Sequence, residues 1–170
     1  MNIHIGGTEP RDGWQIIDAT DRPEVDVVGN CVDLSHWSDG SVDRIYASHV
    51  FEHLGYQHEL PTALAECHRV LKETGILQVS VPDLDQLAKL LLSPILEPDH
   101  RFHVMRMLMG GQTDEHDFHR VAFTDEILGH FLASAGFRAV ERVSEFRLFD
   151  DCSTLTMFGV PISLNMVCRK

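Results

Sequence analysis

Four polar side chains that can bind ligands or move protons follow a short apolar run near the middle of the first half of the chain. Residues 45–47 favour a buried strand, and Ser48, His49, Glu52 and His53 come directly after it. A short buried strand bounded by polar residues is typical of the centre of a parallel sheet. Ligands bind beyond the carboxyl ends of such strands. The sequence therefore predicts a functional site at the end of this strand.

A second apolar run, residues 76–81, also ends in polar chemistry, at Pro82 and Asp83. The carboxyl ends of neighbouring parallel strands meet at one edge of a sheet, which is where ligands bind. Two strands that deliver polar groups to the same edge predict a crevice there. The remaining elements must position that crevice.

Hydrophobic periodicity predicts these elements. Short apolar runs predict strands at residues 2–5, 14–17, 25–28, 45–47, 76–81, 138–147 and 162–169. Apolar residues at three- and four-residue spacing predict helices at residues 59–72, 84–92 and 125–135. Strands mixed with helices indicate one α/β domain over residues 1–170, with a mostly parallel sheet whose last two strands form an antiparallel edge pair.

The composition limits the partners and the location of the chain. Its formal net charge of −12 argues against nucleic acid and anionic membranes, since both favour a basic surface. No apolar stretch reaches the roughly 18–20 residues that span a bilayer, and the first residues lack the basic and apolar regions of a signal peptide. The four cysteines form no C-x-x-C pair and are expected to be reduced thiols. A cytoplasmic protein is therefore predicted.

Several short motifs occur in order along nearly the whole chain. They are residues 3–8 (IHIGGT), 13–18 (GWQIID), 26–30 (DVVGN), 39–43 (DGSVD), 46–53 (YASHVFEH), 69–75 (RVLKETG), 81–83 (VPD), 119–124 (HRVAFT) and 135–137 (AGF). As an ordered set they resemble compact class I S-adenosylmethionine-dependent methyltransferases. The resemblance implies a Rossmann-like three-layer sandwich, S-adenosyl-L-methionine as the cofactor, and methyl transfer to a small-molecule or glycan-like acceptor.

The resemblance also implies which residues bind the cofactor. They are Gly6, Gly7, Asp18, Asn30, Cys31, Val32, Ser48 and His49. Gly6 corresponds to the first glycine of the cofactor loop, and Asp18 to the carboxylate that accepts hydrogen bonds from the ribose hydroxyls. Asn30 stands where the family usually has an acid, and its amide oxygen can still accept a hydrogen bond from adenine. Cys31 and Val32 are expected beside the adenine, and Ser48 and His49 beside the methionine part.

Two features depart from the family pattern. Thr8 replaces the second glycine of the loop, and only about seven residues separate the first two predicted strands. A parallel crossover usually needs a dozen or more, so the helix after the first strand is expected to be missing or reduced to one turn, and the second crossover is equally short. A cover over the substrate is then expected from residues 93–120, whose three methionines could form an apolar wall.

Two histidines of this segment are candidates for catalysis. His116 and His119 are three residues apart, with Asp117 between them. An imidazole titrates near neutral pH, which suits a base that takes a proton from a substrate hydroxyl. His119 belongs to one of the family motifs and is preferred over His116. His49 is the third catalytic candidate, and no metal is predicted.

Two alternatives from other classes remain open. Residues 49–53 fit H-x-x-E-H, the pattern of an inverted zinc-peptidase site that uses His49, Glu52 and His53. That site needs a long helix, which Gly55 would end early. The short crossovers are also compatible with a degenerate fold that acts as a binding or interaction module. Metal analysis tests the first alternative, and a cofactor thermal-shift measurement tests the second.

Overall fold

The computed structural model describes residues 1–115 and 117–170. The strands are β1 (Asn2–Ile5), β2 (Trp14–Asp18), β3 (Val27–Val28), β4 (Val42–Ser48), β5 (Leu71–Pro82), β6 (Arg138–Val143), β7 (Thr156–Met157), β8 (Val160–Pro161) and β9 (Ser163–Arg169). The α-helices are α1 (Glu59–Val70), α2 (Leu84–Leu91), α3 (Pro98–Met109) and α4 (Asp125–Ser134), and short 3-10 helices cover Phe51–His53 and Cys152–Thr154.

Seven of the strands form one sheet in the order β3-β2-β1-β4-β5-β9-β6. The first five are mutually parallel, and β9 pairs antiparallel with both β5 and β6. This confirms the predicted α/β fold and the predicted antiparallel pair near one edge. The ends of β1, β2 and β4 lie side by side, which brings the polar residues after each strand to one place.

For two elements the difference from the prediction has a clear physical reason. β5 begins at Leu71, well before residue 76, because Leu71 pairs with Val42 of β4, and residues 72–75 form an irregularity before the regular pairing resumes at Ile76. Helix α3 lies inside the segment 93–120, for which no helix is predicted from periodicity. Only Val104 of that helix is buried, so its apolar pattern is weak.

The crossovers from β1 to β2 and from β2 to β3 contain no helix. Backbone hydrogen bonds hold the first crossover tightly, since Gly6 N donates to Ile17 O at 2.9 Å and Asn2 N donates to Gly13 O at 3.0 Å. The loss of the first crossover helix, expected from the short spacing, is confirmed. The N-terminal half of the sheet therefore lacks helical cover of its own.

One face of the sheet carries the main apolar core. Ile3, Ile45 and Leu77 point to this face and are fully buried together with Leu64 of α1 and Leu128 of α4. Right-handed crossovers that run in opposite directions along a sheet lie on opposite faces. Because α1 covers this face, the helices missing after β1 and β2 would have covered the other one.

An aromatic loop covers the other face instead. Phe149, in the connection 144–151 between β6 and β9, places its ring 4.1 Å from that of His4, 5.2 Å from that of Trp14 and 5.3 Å from that of Tyr46, measured between centroids. Apolar and aromatic burial of this kind stabilises a sheet face as a helix would. The third layer of the sandwich is thus partly a loop.

Helices α2 and α3 pack on each other around a second, smaller core of Leu87, Leu90, Val104 and Ile162. The four cysteines are free thiols. Within residues 1–115 and 117–170, no helix is both long enough and apolar enough to cross a bilayer.

Candidate functional site

A cavity of about 260 Å³ opens beyond the carboxyl ends of β1, β2 and β4. Its walls are formed by Ile5, Gly6, Ile17, Asp18, Ala19, Thr20, Gly29, Asn30, Cys31, His49, Val50, His53, Leu54, Glu59, Glu115 and Arg120. Small-molecule sites in α/β folds lie at this edge of the sheet. His49 and His53 of the predicted crevice line this cavity, whereas Asp83, predicted for the same crevice, is fully buried elsewhere.

The cavity brings together five of the eight residues predicted to bind the cofactor. Gly6, Asp18, Asn30, Cys31 and His49 line it. The structure does not place Gly7, Val32 or Ser48 on its walls. A Cβ atom at Gly7 would lie 2.5 Å from Nδ1 of His4, so glycine there permits close packing on the sheet face. Val32 packs against the main core, and Ser48 ends β4 beside the cavity.

The Asp18 carboxylate is held in a fixed orientation. Its Oδ1 accepts a hydrogen bond from Thr20 N at 2.7 Å, and its Oδ2 accepts one from Arg22 Nη2 at 3.0 Å. The same guanidinium donates to Gly7 O at 2.9 Å and to Glu24 Oε1 at 2.7 Å. A carboxylate has about four acceptor sites, so Asp18 keeps capacity for two further donors.

After the end of β3, Asn30 supplies an amide and Cys31 a thiol to the cavity wall. Oδ1 of Asn30 accepts from Val32 N at 3.1 Å, which fixes the side chain in a turn. A carbonyl oxygen has a second lone pair, so Asn30 can still accept from a ligand. Cys31 is 4% exposed, and burial raises the pKa of its thiol to about 12. Cys31 therefore contributes a neutral wall.

His49 occupies the turn after β4, where it has a φ of 53°. The Ser163 hydroxyl donates to Cys152 O at 2.6 Å, so it accepts from Nε2 of His49, which lies 3.0 Å away. The remaining nitrogen, Nδ1, then carries the lone pair. Burial is the main cause that lowers the pKa of His49 to about 4, and the imidazole is neutral at pH 7.

Glu52 lies directly behind this wall and is 1% exposed. Its Oε1 is 3.4 Å from Nδ1 of His49, which is too long for a good hydrogen bond, and neither carboxylate oxygen has a hydrogen-bond partner among the described residues. Burial raises the pKa of Glu52 to about 8. The backbone carbonyl of Glu52 accepts from Arg120 N at 2.7 Å and, more weakly, from Val121 N at 3.3 Å.

Those two hydrogen bonds bring the loop after α3 to the site. The rings of His53 and His119 meet edge to face with centroids 4.8 Å apart. Burial, with His53 as the next cause, lowers the pKa of His119. His119 thus lies behind the cavity wall, in contact with His53. The prediction for His116 falls outside the described residues.

Some residues of the cavity are not predicted from the sequence. Arg120 forms an ion pair with Glu59 at 3.1 Å, and Oε2 of Glu59 also accepts from Gly55 N at 2.7 Å. Glu115 completes this side. Arg120 belongs to a motif noted in the sequence, but the pairing that brings it to the cavity joins residues far apart along the chain.

The zinc-peptidase pattern does not form its expected element. Only a three-residue 3-10 helix, Phe51–His53, follows β4, and His49 precedes it with a positive φ. The two histidines of H-x-x-E-H are consequently not presented one turn apart on an α-helix. This arrangement removes the structural basis for the peptidase alternative.

Comparison with known proteins shows which class of proteins this fold resembles. Residues 15–79 match the family described as "Methyltransferase domain", whereas a search of curated proteins gives no significant match. A SAM-dependent methyltransferase from Archaeoglobus fulgidus aligns with a TM-score of 0.64 and 17% identity, covering 99% of this chain and 85% of that one. Another from Thermotoga maritima, described as a possible histamine N-methyltransferase, aligns with a TM-score of 0.61 and 16% identity, covering 99% and 81%.

A third solved structure carries ligands. It is the 1,6-didemethyltoxoflavin-N1-methyltransferase of Burkholderia thailandensis, with bound 1,6-didemethyltoxoflavin and S-adenosylhomocysteine. It aligns with a TM-score of 0.60 and 17% identity, covering 99% of this chain and 70% of that one. Together the matches confirm the resemblance to class I S-adenosylmethionine-dependent methyltransferases.

Proposed function

We propose that the chain transfers a methyl group from S-adenosylmethionine to a small-molecule or glycan-like acceptor bound at the cavity. The observation that carries the proposal is that Gly6, Asp18, Asn30, Cys31 and His49, chosen from sequence motifs, line one cavity at the ends of β1, β2 and β4. A degenerate fold that binds no ligand would not be expected to have these five residues around one cavity.

The donor and acceptor chemistry of the walls fits the cofactor. Asp18 retains two acceptor sites, which suit two ribose hydroxyls, and Asn30 retains one lone pair for an amino group. Ile5, Ile17 and Leu54 give the cavity apolar surface. The cofactor supplies, when bound, a methyl group that its positively charged sulfur has already activated.

The chain's own residues then have to orient the acceptor and accept its proton. His49 lines the cavity with a neutral imidazole, and its Nδ1 lies 3.4 Å from the buried carboxyl group of Glu52. Glu115 and Arg120 also line the cavity and can contact polar groups of an acceptor. Residues 93–120 therefore form the substrate side in this proposal, with His119, and by sequence His116, as further candidates for proton transfer.

Binding and turnover test the proposal separately. Calorimetry with S-adenosylmethionine and S-adenosylhomocysteine is expected to show one site per chain. An assay of S-adenosylhomocysteine release across hydroxylated small molecules, amines and saccharides then identifies the acceptor. His119→Asn is expected to lower turnover with unchanged cofactor affinity, whereas His130→Asn, an exposed histidine of α4, changes neither.

Two results would contradict the proposal. No heat of binding at millimolar cofactor would exclude methyl transfer and favour a binding module. Cofactor binding without turnover on any acceptor class would support a module that keeps the cofactor site only.

A further inference from the structure

Three side chains that can ligate a metal meet behind the cavity, although the sequence predicts no metal site. A carboxylate oxygen of Glu52 and one ring nitrogen each of His53 and His119 all lie within 4.8 Å of one another. Glu52 and His53 belong to the 3-10 helix after β4, and His119 belongs to the loop after α3. The cluster is therefore formed by the fold and not by a local sequence motif.

The buried carboxylate of Glu52 gives a second, independent indication of a ligand. Glu52 is 1% exposed, and neither of its side-chain oxygens has a hydrogen-bond partner among the described residues. A buried polar group without a partner costs roughly 1–3 kcal/mol, and more if it is charged, and such groups in native proteins indicate an ion or a ligand that satisfies them. A cation between Glu52 and the two imidazoles would satisfy these oxygens.

The backbone around the cluster is tied together. The Glu52 carbonyl accepts from both Arg120 N and Val121 N, so the loop that carries His119 is bonded to the residue that supplies the carboxylate. His119 N in turn donates to Met109 O at 3.2 Å, which anchors the loop to the end of α3. Because the backbone already holds these side chains near one another, binding a metal would cost little conformational entropy.

We propose that Glu52, His53 and His119 bind a divalent first-row transition-metal ion. Two imidazoles with one carboxylate suit Zn²⁺, Fe²⁺, Co²⁺ or Ni²⁺, whereas Mg²⁺ and Ca²⁺ prefer oxygen ligands. Metal–ligand bonds of about 2.0–2.2 Å place ligand atoms about 3–4 Å apart, so binding requires only a small contraction of the cluster. Three protein ligands leave at least one coordination position open.

The position of the site gives it a use. His53 lines the cavity, so an ion bound to it lies at the wall and can hold an oxygen of the acceptor. A metal ion favours deprotonation of a hydroxyl that it binds. This use rests on the proposed methyl transfer, while the metal site itself does not. In this arrangement His119 is a ligand and not the base, since its coordinating nitrogen cannot also accept a proton.

Metal titration of the purified, chelator-treated chain tests the site directly. Calorimetry with Zn²⁺ is expected to show one ion per chain, and Co²⁺ is expected to give visible absorption bands of a four- or five-coordinate ion. Glu52→Gln and His119→Asn are each expected to weaken Zn²⁺ binding by about 100-fold or more. Loss of a residue that only supports a metal ligand weakens binding roughly 10–100-fold, and loss of a ligand itself should cost at least as much. His103→Asn, an exposed histidine of α3, is the matched control and binds normally.

Circular dichroism shows whether each variant is folded, and His119→Asn keeps the test valid if Glu52→Gln does not fold. The proposal is overturned if the wild-type chain binds no stoichiometric Zn²⁺, or if folded His119→Asn binds as tightly as His103→Asn. Failure of the metal site leaves cofactor binding intact. Failure of the methyltransferase proposal removes cofactor binding and leaves the Zn²⁺ titration unchanged.

Discussion

Arg22 Nη2 lies 3.0 Å from Oδ2 of Asp18 and 2.9 Å from the carbonyl oxygen of Gly7. One guanidinium thus links the loop after β1 to the end of β2, where related folds would have the start of a helix. On the other side of the guanidinium, Arg22 Nε donates a hydrogen bond to Oε1 of Glu24 at 2.7 Å. The link fixes both the carboxylate and the loop that form one wall of the cavity.

Removal of this link should weaken cofactor binding. Arg22→Met keeps the side-chain length but loses its hydrogen bonds to Gly7 and Asp18, and we expect S-adenosylmethionine affinity to fall about 10-fold, equivalent to about 1.4 kcal/mol. Calorimetry measures the change. Arg147→Met is the control, since Arg147 also pairs with a glutamate two residues away but lies off the cavity. Equal affinities of the two variants would assign Arg22 to stability alone.

Loss of the Asp18 carboxylate should weaken cofactor binding more than loss of Arg22. Asp18→Ala removes the acceptor of the proposed ribose hydrogen bonds, and we expect a loss of about 1–3 kcal/mol of cofactor binding, the range for hydrogen bonds to a charged group. Asp21→Ala, an exposed carboxylate in the next turn, controls for the change of net charge. Unchanged affinity for Asp18→Ala would show that the ribose lies elsewhere.

Gly6 is constrained by the protein as well as by a ligand. Its φ is +72°, and a Cβ there would lie 2.5 Å from Cγ2 of Val50. Gly6→Ala should therefore lower the free energy of unfolding by about 1–3 kcal/mol, from strain and overpacking, and should also weaken cofactor binding. Denaturant unfolding of Gly6→Ala with and without Val50→Ala separates the two causes. If Val50→Ala restores no stability, the clash is not the source of the loss.

His4 should make stability depend on pH. Burial lowers its pKa to about 4 from 6.5, against opposing contributions from Asp151 and Glu9. The unfolded chain binds the proton first, so stability is full above about pH 6.5 and falls as the pH drops to about 4. Since one pKa unit is worth about 1.4 kcal/mol, the loss is about 3 kcal/mol.

Chemical denaturation across this pH range measures the effect. In His4→Leu the contribution of His4 to the slope of the unfolding free energy against pH should disappear. The contribution of His49, whose pKa is also lowered to about 4, and the opposite one of Glu52, whose pKa is raised to about 8, remain. An unchanged slope would mean that His4 binds its proton equally well in the folded and the unfolded chain.

Features that depend on local sequence could be predicted, and features that depend on distant contacts could not. Asp18 and His49 follow clear strand signals, and the short spacing between the first two strands correctly indicates the missing helix. The role of Arg22 was not predicted, because an arginine in a polar turn has no distinctive pattern. The contact of His119 with His53 joins residues on two separate elements, which periodicity does not reveal.

The bounds of β5 and α3 show the same limit. Residues 72–74 are polar and favour a turn, yet they belong to β5 because Leu71 before them and Ile76 after them both pair with β4. Helix α3 has Pro98 at its first turn and Gly110 after its end, with a φ of 82° at the glycine. Its mostly exposed side chains hide the helical period that would have predicted it.

The aromatic cover over β1 affects the order in which the chain can complete its fold during synthesis. β1 is translated long before Phe149, which seals the face carrying His4. Contacts between such distant residues close large loops and form slowly. We expect a nascent chain ending before residue 144 to leave this face accessible to proteases and chaperones, and limited proteolysis of stalled chains measures how late the N-terminal strands become protected.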